Sequence, residues 1–302
     1  MEQDLGKTLP DISVILPVYN GDKHLRIAIQ SILNQTYPNF EFIIINDGST
    51  DKSSEILNYY SKKDARIRLI ERENKGLVFS LNEALSMAKG KYIARMDSDD
   101  VSSSIRFEQQ IHLLNITNAD ICGCHFRIIT DIDKIYSTFI APQTSEAVTA
   151  TLILVPPFAH GSVMIRSEFL KRHSIMYQNV AAEDHYMWCD FWMNQAKFIT
   201  ATNFLFDYRV HLDSISNTKK NKLKNDVRSN ARKILKSNKL RVKYDLLKLK
   251  DQQLSEFEEQ MLLLAAYKYS IMYWDILFIK CIRRVNYKTL VLVFFKIITR
   301  TI

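Results

Sequence analysis

Three carboxylates stand within four positions of "ARMDSDD" (94–100): Asp97, Asp99 and Asp100. They follow "GKYIARM", which reads as a strand entering a core. Carboxylates are poor strand residues, and neighbouring ones repel. An isolated Asp-x-Asp is usually a solvated turn that caps the next helix. At the end of a buried strand, however, three acids need a compensating cation. Carboxylate oxygens suit hard divalent ions such as Mg²⁺ or Mn²⁺. Two protein carboxylates cannot complete six ligands, so water or phosphate must fill the rest, and a metal-bound diphosphate is the expected ligand. "PVYNG" adds Tyr19 and Asn20, and "NDGSTD" adds Asp47. A tyrosine ring can stack on a nucleobase, and an aspartate can accept from a base N–H. A base at one end and a metal-bound diphosphate at the other describe a nucleotide-activated donor.

Such groups need elements to bring them together. "ISVILPVYN" (12–20), "FEFIIINDGST" (40–50), "ARIRLIE" (65–71) and "KYIARMD" read as strands. Between the first two, Leu25, Ile29, Ile32 and Leu33 recur at helical spacing. A helix is expected from about Asp51, and another along Leu77, Leu81, Leu85 and Ala88, closed by Gly90. Alternating strands and helices imply an α/β fold with a mostly parallel sheet covered on both faces. Ligands gather outside the carboxyl ends of such strands, where Asn20, Asp47 and Asp97 all fall. Further on, "SIRFEQQIHLL" reads as a helix, "ADICGCHFRII" and "GSVMIR" as strands, and "AEDHYMWCDFWMNQ" (182–195) as a helix with acids at its start.

The chain has 302 residues, 47% hydrophobic and 25% charged, which is ordinary globular composition. Four cysteines without a Cys-x-x-Cys pair speak against structural zinc and a disulfide framework. The polar N-terminus "MEQDLGKTLPD" does not read as a signal peptide. The net charge of +8 is localised: residues 219–250 hold 13 Lys and Arg against 2 acids, and the rest of the chain holds 28 against 31. That segment suggests an anionic partner, nucleic acid or membrane. Residues 261–302 are apolar and aromatic but broken by charges, and no uncharged run is long enough to span a bilayer. They are expected to form a helix lying in a membrane interface, or else packed on the rest of the chain. A domain boundary is placed at 216/217, with an extension over 217–302.

"SVILPVYNGDKHLRIAIQSILNQTYPNFEFIIINDGSTDKS", "ENKGLVFSLNEALSMAKGKYIARMDSDD" and "AED" together resemble glycosyltransferase family 2, over roughly residues 10–215. The resemblance implies the GT-A fold: a Rossmann-like sheet flanked by helices, here with a C-terminal basic and apolar helical extension. It implies an inverting transferase that uses a UDP-sugar and Mn²⁺ or Mg²⁺. At matching positions Pro17, Tyr19, Asn20 and Asp47 would bind the nucleotide, with Asn74 and Gly76 beside them. Asp97 and Ser98 would meet the donor, and Asp99, Asp97 and His211 the metal. Asp184 would be the catalytic base. Glu183, His160 and Trp188 would face the acceptor; for Trp188, as for Trp192, the alternative is core packing. Many members have Ala-Arg-Asn where this chain has Ser80-Leu81-Asn82, so an Arg that could face the donor is missing. The resemblance also implies a glycan or lipid-linked glycan acceptor, bacterial surface polysaccharide synthesis, and a cytoplasmic enzyme peripheral on the inner face of the cytoplasmic membrane.

The chemistry agrees with that division of carboxylates. An acceptor hydroxyl is a weak nucleophile, so a carboxylate must take its proton, while a metal stabilises the departing diphosphate. Glu183 and Asp184 could instead be acids favoured at a helix N-terminus. Arg106 is expected at the surface or near the acceptor. Three other classes fit less well. A nucleotidyltransferase would carry a Gly-rich, Arg-containing loop after the first strand, and a glycoside hydrolase needs no nucleotide motif. A nucleic-acid-binding protein leaves the acidic rim unexplained, so no nucleic-acid partner is expected.

Overall fold

The computed structural model describes residues 9–211 and 220–273, and the single positions 277, 281, 289 and 293. Four parallel strands form its first half: β1 (Ile12–Val18), β2 (Phe40–Asp47), β3 (Ile67–Arg72) and β4 (Tyr92–Arg95), ordered β3-β2-β1-β4. Helices α1 (Asp22–Leu33), α2 (Ser53–Lys63) and α3 (Leu77–Met87) make the crossovers. The sheet continues through β8 (Met164–Arg166), β6 (Ile121–Thr130), β9 (Phe198–Val210) and β5 (Val101–Ser102). Here pairing turns antiparallel at β4–β8, β8–β6 and β9–β5, while β6–β9 is parallel. A short β7 (Ile135–Phe139), which the sequence pattern does not announce, pairs with β6.

The apolar strands divide by alternation. In β1, Ile15 enters the core on one face, and Val14 and Leu16 enter the core on the other. Both faces are therefore covered, which is why these strands read as unbroken apolar runs. Helices α1, α2 and α4 (Arg106–Thr117) cover one face. The other carries α3, α5 (Ser145–Leu152), α6 (Ser167–His173) and α7 (Glu183–Met193).

Three C-terminal helices join the second layer: α8 (Lys220–Ser237), α9 (Lys239–Lys250) and α10 (Glu256–Tyr273). Ile234, Leu235, Val242, Leu246 and Leu249 are buried in the same cluster as Trp188. The apolar start of the last segment, from Met261 to Ala266, is buried there too. Of the two readings given for 261–302, packing on the rest of the chain holds for Met261–Ala266, and α10 lies against α5 and α9. Most of residues 274–302 lie outside the described residues, as does the proposed boundary at 216/217. Among the described residues no helix is long and apolar enough to cross a membrane.

Candidate active site

The carboxyl ends of β1, β2 and β4 meet at one rim, as the strand pattern requires. Asn20 takes a left-handed conformation, with φ of 49°. Its Oδ1 accepts from the Thr50 N–H at 2.8 Å, and its own N–H donates to Ser49 Oγ, tying the first two loops together. Tyr19 beside it is 54% exposed, free to meet a flat ligand. Pro17 is buried within β1, so it shapes the rim from below rather than lining it.

Asp47 is 2% exposed. Its oxygens accept from the N–H groups of Lys75 and Gly76 at 2.8 and 2.9 Å, and Arg72 pairs with it. Asp47 therefore holds the Asn74–Gly76 loop in place. Gly48 makes this possible: a Cβ there would stand 2.6 Å from the Asn74 nitrogen, and its φ is +72°. Leu81, at the position where the resemblance would lead one to expect an arginine, is fully buried. The nearby positive charge comes instead from Arg72 at the end of β3, which donates to Ser80 Oγ at 2.8 Å and also pairs with Glu83.

The acidic cluster is not left to an external cation alone. Arg95, 1% exposed, donates to Asp97 Oδ1 and to the Met96 carbonyl. The chain thus supplies, through Arg95, part of the compensating charge that the strand-end acids need. Asp100 is also buried, with Oδ1 accepting from the Arg209 N–H at 2.7 Å. Arg209 Nε in turn donates to the Asp99 carbonyl. These two bonds fasten the end of β9 to the acidic loop and bring His211 Nε2 to 2.9 Å from Asp99 Oδ2. Ser98 lies against Gly21, at the seam between the first and fourth loops. Arg106 is fully buried, donating to the carbonyls of Gly161 and Arg95, so it is a brace rather than a surface contact.

Asp97 Oδ2 and Asp100 Oδ2 both face Gly161, where a Cβ would lie 2.9 and 3.2 Å from them. Asp100 Oδ2 has no hydrogen-bond partner. Asp99, His211 and the open oxygen of Asp97 fit a hard divalent ion in donor type. Among the described residues no three His, Cys, Asp or Glu side chains converge tightly enough to cage an ion unaided. An ion here would draw further ligands from phosphate or water.

Glu183 and Asp184 open α7 on the adjoining wall. Burial, then repulsion from Asp184, pushes the Glu183 carboxyl up to about 8. Burial raises Asp184 to about 6, opposed by the His185 N–H that donates to its Oδ1 at 2.6 Å. The charge of Asp97 also raises Asp184, so the two acidic sets share one electrostatic field. His160 Nε2 bonds to the Tyr177 hydroxyl at 2.8 Å, and its Nδ1 stands 3.8 Å from Glu183 Oε1. Burial and Arg95 hold His160 well below its ordinary pKa, so the neutral ring makes no ion pair with Glu183. Asn82 fixes Tyr177 by two bonds to its backbone, both 2.9 Å.

Trp188 does not belong to an acceptor surface. It is fully buried, edge-on behind His160, and a sugar cannot stack on it. Trp192 is likewise core, donating to Thr149 Oγ1 at 2.7 Å. Arg95, Tyr177 and Arg209 join the site without having been singled out from the sequence. Of these only Arg95 had a local signal, a charge inside an apolar strand next to acids.

The family described as Glycosyl transferase family 2 matches residues 13–175. A curated relative, the O-antigen biosynthesis glycosyltransferase WbnJ of Escherichia coli, is 32% identical over 209 residues, covering 68% of this chain and 82% of its own. Among solved structures, S. aureus TarS 1–349 in complex with UDP-GlcNAc superposes with a TM-score of 0.61 at 18% identity, over 87% of this chain and 73% of that one. The mannosyltransferase PcManGT from Pyrobaculum calidifontis, in complex with GDP-Man and Mn²⁺, superposes with a TM-score of 0.56 at 15% identity, over 98% of this chain and 82% of that one. These two likenesses establish a GT-A glycosyltransferase fold.

Proposed function

Since this chain belongs to glycosyltransferase family 2 and is a glycosyltransferase, we propose that it moves a hexosyl or N-acetylhexosaminyl group from a UDP-sugar, with inversion, to a hydroxyl of a glycan or lipid-linked glycan in bacterial surface polysaccharide synthesis. The observation that carries this reading is the pair of carboxylate sets joined through His160 and Gly161: a Cβ on Gly161 would stand 2.9 Å from Asp97 Oδ2, and His160 Nδ1 stands 3.8 Å from Glu183 Oε1, beside Asp184. Tyr19 and the loop held by Asp47 would receive the base and ribose. The relatives support donor and acceptor class: TarS is described with UDP-GlcNAc, and WbnJ with O-antigen biosynthesis. A lipid-linked acceptor would put the enzyme at the inner face of the cytoplasmic membrane. The catalytic unit is taken as residues 1–216, with 217–302 as its extension.

Mn²⁺ or Mg²⁺, held by Asp99 and His211 with the open oxygen of Asp97, would supply charge stabilisation at the diphosphate. The chain's own residues do the rest. Arg95 neutralises one oxygen of Asp97 and so keeps its carboxylate oriented. Asp184 has the lower pKa of its pair and is the one to take the acceptor proton near neutral pH, where positioned bases are most effective. Glu183 stays protonated there and can donate a hydrogen bond to the acceptor. One base opposite the leaving group gives inversion.

Transfer and donor binding measured separately test this. Asp184→Asn should lower transfer by about 10²–10⁴-fold while UDP-sugar affinity in Mn²⁺ holds, because an amide cannot take the proton. An equal loss of donor affinity would move Asp184 to the donor side and overturn the assignment. A panel of UDP- and GDP-sugars, read by thermal shift, identifies the donor through the stabilisation that binding confers.

A further inference from the structure

The turn at His160–Ser162 is held from several sides, and this leaves the histidine ring one way to carry its proton. Arg106 donates to the Gly161 carbonyl at 2.5 Å, and the Ser162 N–H to the Ala159 carbonyl at 3.0 Å, so the backbone on either side of His160 is fixed. The ring leans on Tyr177, with centroids 5.3 Å apart, and Trp188 stands edge-on behind it at 6.2 Å. Tyr177 is itself set by its two backbone bonds to Asn82 on α3. It is buried, and its hydroxyl has a single hydrogen-bond partner among the described residues, His160 Nε2 at 2.8 Å. Burial pushes the phenol pKa up, so the hydroxyl keeps its proton. A buried O–H needs an acceptor, and here Nε2 is the one available. The neutral ring carries one proton. With Nε2 accepting, that proton sits on Nδ1, the nitrogen 3.8 Å from Glu183 Oε1. The opposite tautomer would donate from Nε2 to the Tyr177 oxygen and leave the phenol proton without an acceptor.

We propose that Tyr177 and His160 are positioning residues: Tyr177 locks His160 in its Nδ1–H tautomer, and that N–H takes Oε1 of Glu183, leaving Oε2 to carry the carboxyl proton toward the acceptor. The 3.8 Å separation is longer than a hydrogen bond in the free chain, and such contacts tighten when substrate fills a site. The acidic wall then offers the acceptor two unlike groups side by side. Glu183 donates, and Asp184 takes a proton, its Oδ1 being already engaged by the His185 N–H. The acceptor class that fits is one whose reacting hydroxyl has a neighbouring oxygen able to accept a hydrogen bond, as in a sugar diol. This role toward the acceptor rests on the proposed function; the tautomer does not.

The tautomer is read by long-range ¹H–¹⁵N correlation of the full chain with ¹⁵N-labelled histidine, the His160 signals being those lost in His160→Asn. Nδ1 should be protonated and Nε2 bare in the wild type, and Tyr177→Phe should admit the Nε2–H form. Protonated Nε2 in the wild type, or no change in Tyr177→Phe, overturns the proposal. Activity then separates positioning from packing, with the UDP-sugar that the donor panel identifies and glycerol, a vicinal diol, as acceptor. His160→Asn keeps an amide N–H in place of Nδ1 and should stay within about threefold of the wild type. His160→Gln keeps a polar group only on the Nε2 side and should lose about tenfold in kcat/KM for glycerol, with donor affinity unchanged in calorimetry. Equal losses in the two variants, no loss in either, the reverse order, or a loss of donor affinity in His160→Gln overturns the proposal. If no nucleotide sugar serves as donor, the proposed function fails, and the tautomer measurement still decides the Tyr177–His160 pair.

Discussion

Replacing Glu183 with Gln tests the electrostatics of the acidic wall without removing the base. Glu183 is held protonated up to about 8 by burial and by Asp184, against 4.5 for a free side chain. A group whose folded pKa is raised contributes stability that is complete below its unfolded pKa and is lost as pH rises through the folded one. The window here runs from about pH 4.5 to about pH 8. At about 1.4 kcal/mol per pH unit the whole interval corresponds to about 5 kcal/mol. Asp184 titrates within the same window and shares the repulsion, and Arg95 offsets part of it, so about 3 kcal/mol is expected for Glu183 itself. Gln cannot ionise and escapes the loss. With metal removed by EDTA, thermal unfolding of wild type and Glu183→Gln should differ little at pH 4. At pH 9 the variant should gain about 6–12 °C on the wild type. Taking the difference between the two pH values cancels any packing cost of the amide. If that difference is zero, Glu183 ionises as freely as an exposed carboxylate and the argument for a protonated partner to Asp184 fails.

Transfer by the wild type should rise with pH through about 6 as Asp184 loses its proton, a limb that a pH–rate profile in Mn²⁺ would reveal and that Asp184→Asn should abolish. Asp99→Ala should remove metal-dependent donor binding with the fold intact by circular dichroism; wild-type activity in Mn²⁺ would refute the ligand assignment. Tyr177→Phe frees His160 from its hydroxyl partner and should lower transfer about tenfold with donor affinity unchanged, whereas a loss of donor affinity would point to a different role. Gly48→Ala forces a Cβ against the Asn74 nitrogen and should weaken nucleotide binding in calorimetry by tenfold or more, unless that loop does not receive the nucleotide.

The sequence by itself determined the first half of the fold and the position of the acids. Unbroken β-branched runs in β1 and β2 had to be covered on both faces, and helical spacing between them left only a parallel sheet with crossovers. Once that sheet exists, Asn20, Asp47 and Asp97 reach one rim because each stands at or just past the carboxyl end of its strand. The ordered motifs then pointed to the family, because several short patterns in sequence are far more specific than any one. Tertiary structure alone decided what each side chain spends its bonds on. Asp47 carries no local sign that the N–H groups of Lys75 and Gly76, twenty-eight and twenty-nine residues on, will take its oxygens. Asp100 and Arg209 are joined across 109 positions by the pairing of β5 with β9. Trp188 and Trp192 have the spacing of a stripe, and periodicity cannot tell a stripe that packs from one that binds. The C-terminal segment makes the same point. Its composition allowed either a membrane face or a packed face, and only the placement of α10 against α5 and α9 assigned Met261–Ala266 to the core and left Leu240 and Tyr244 outside.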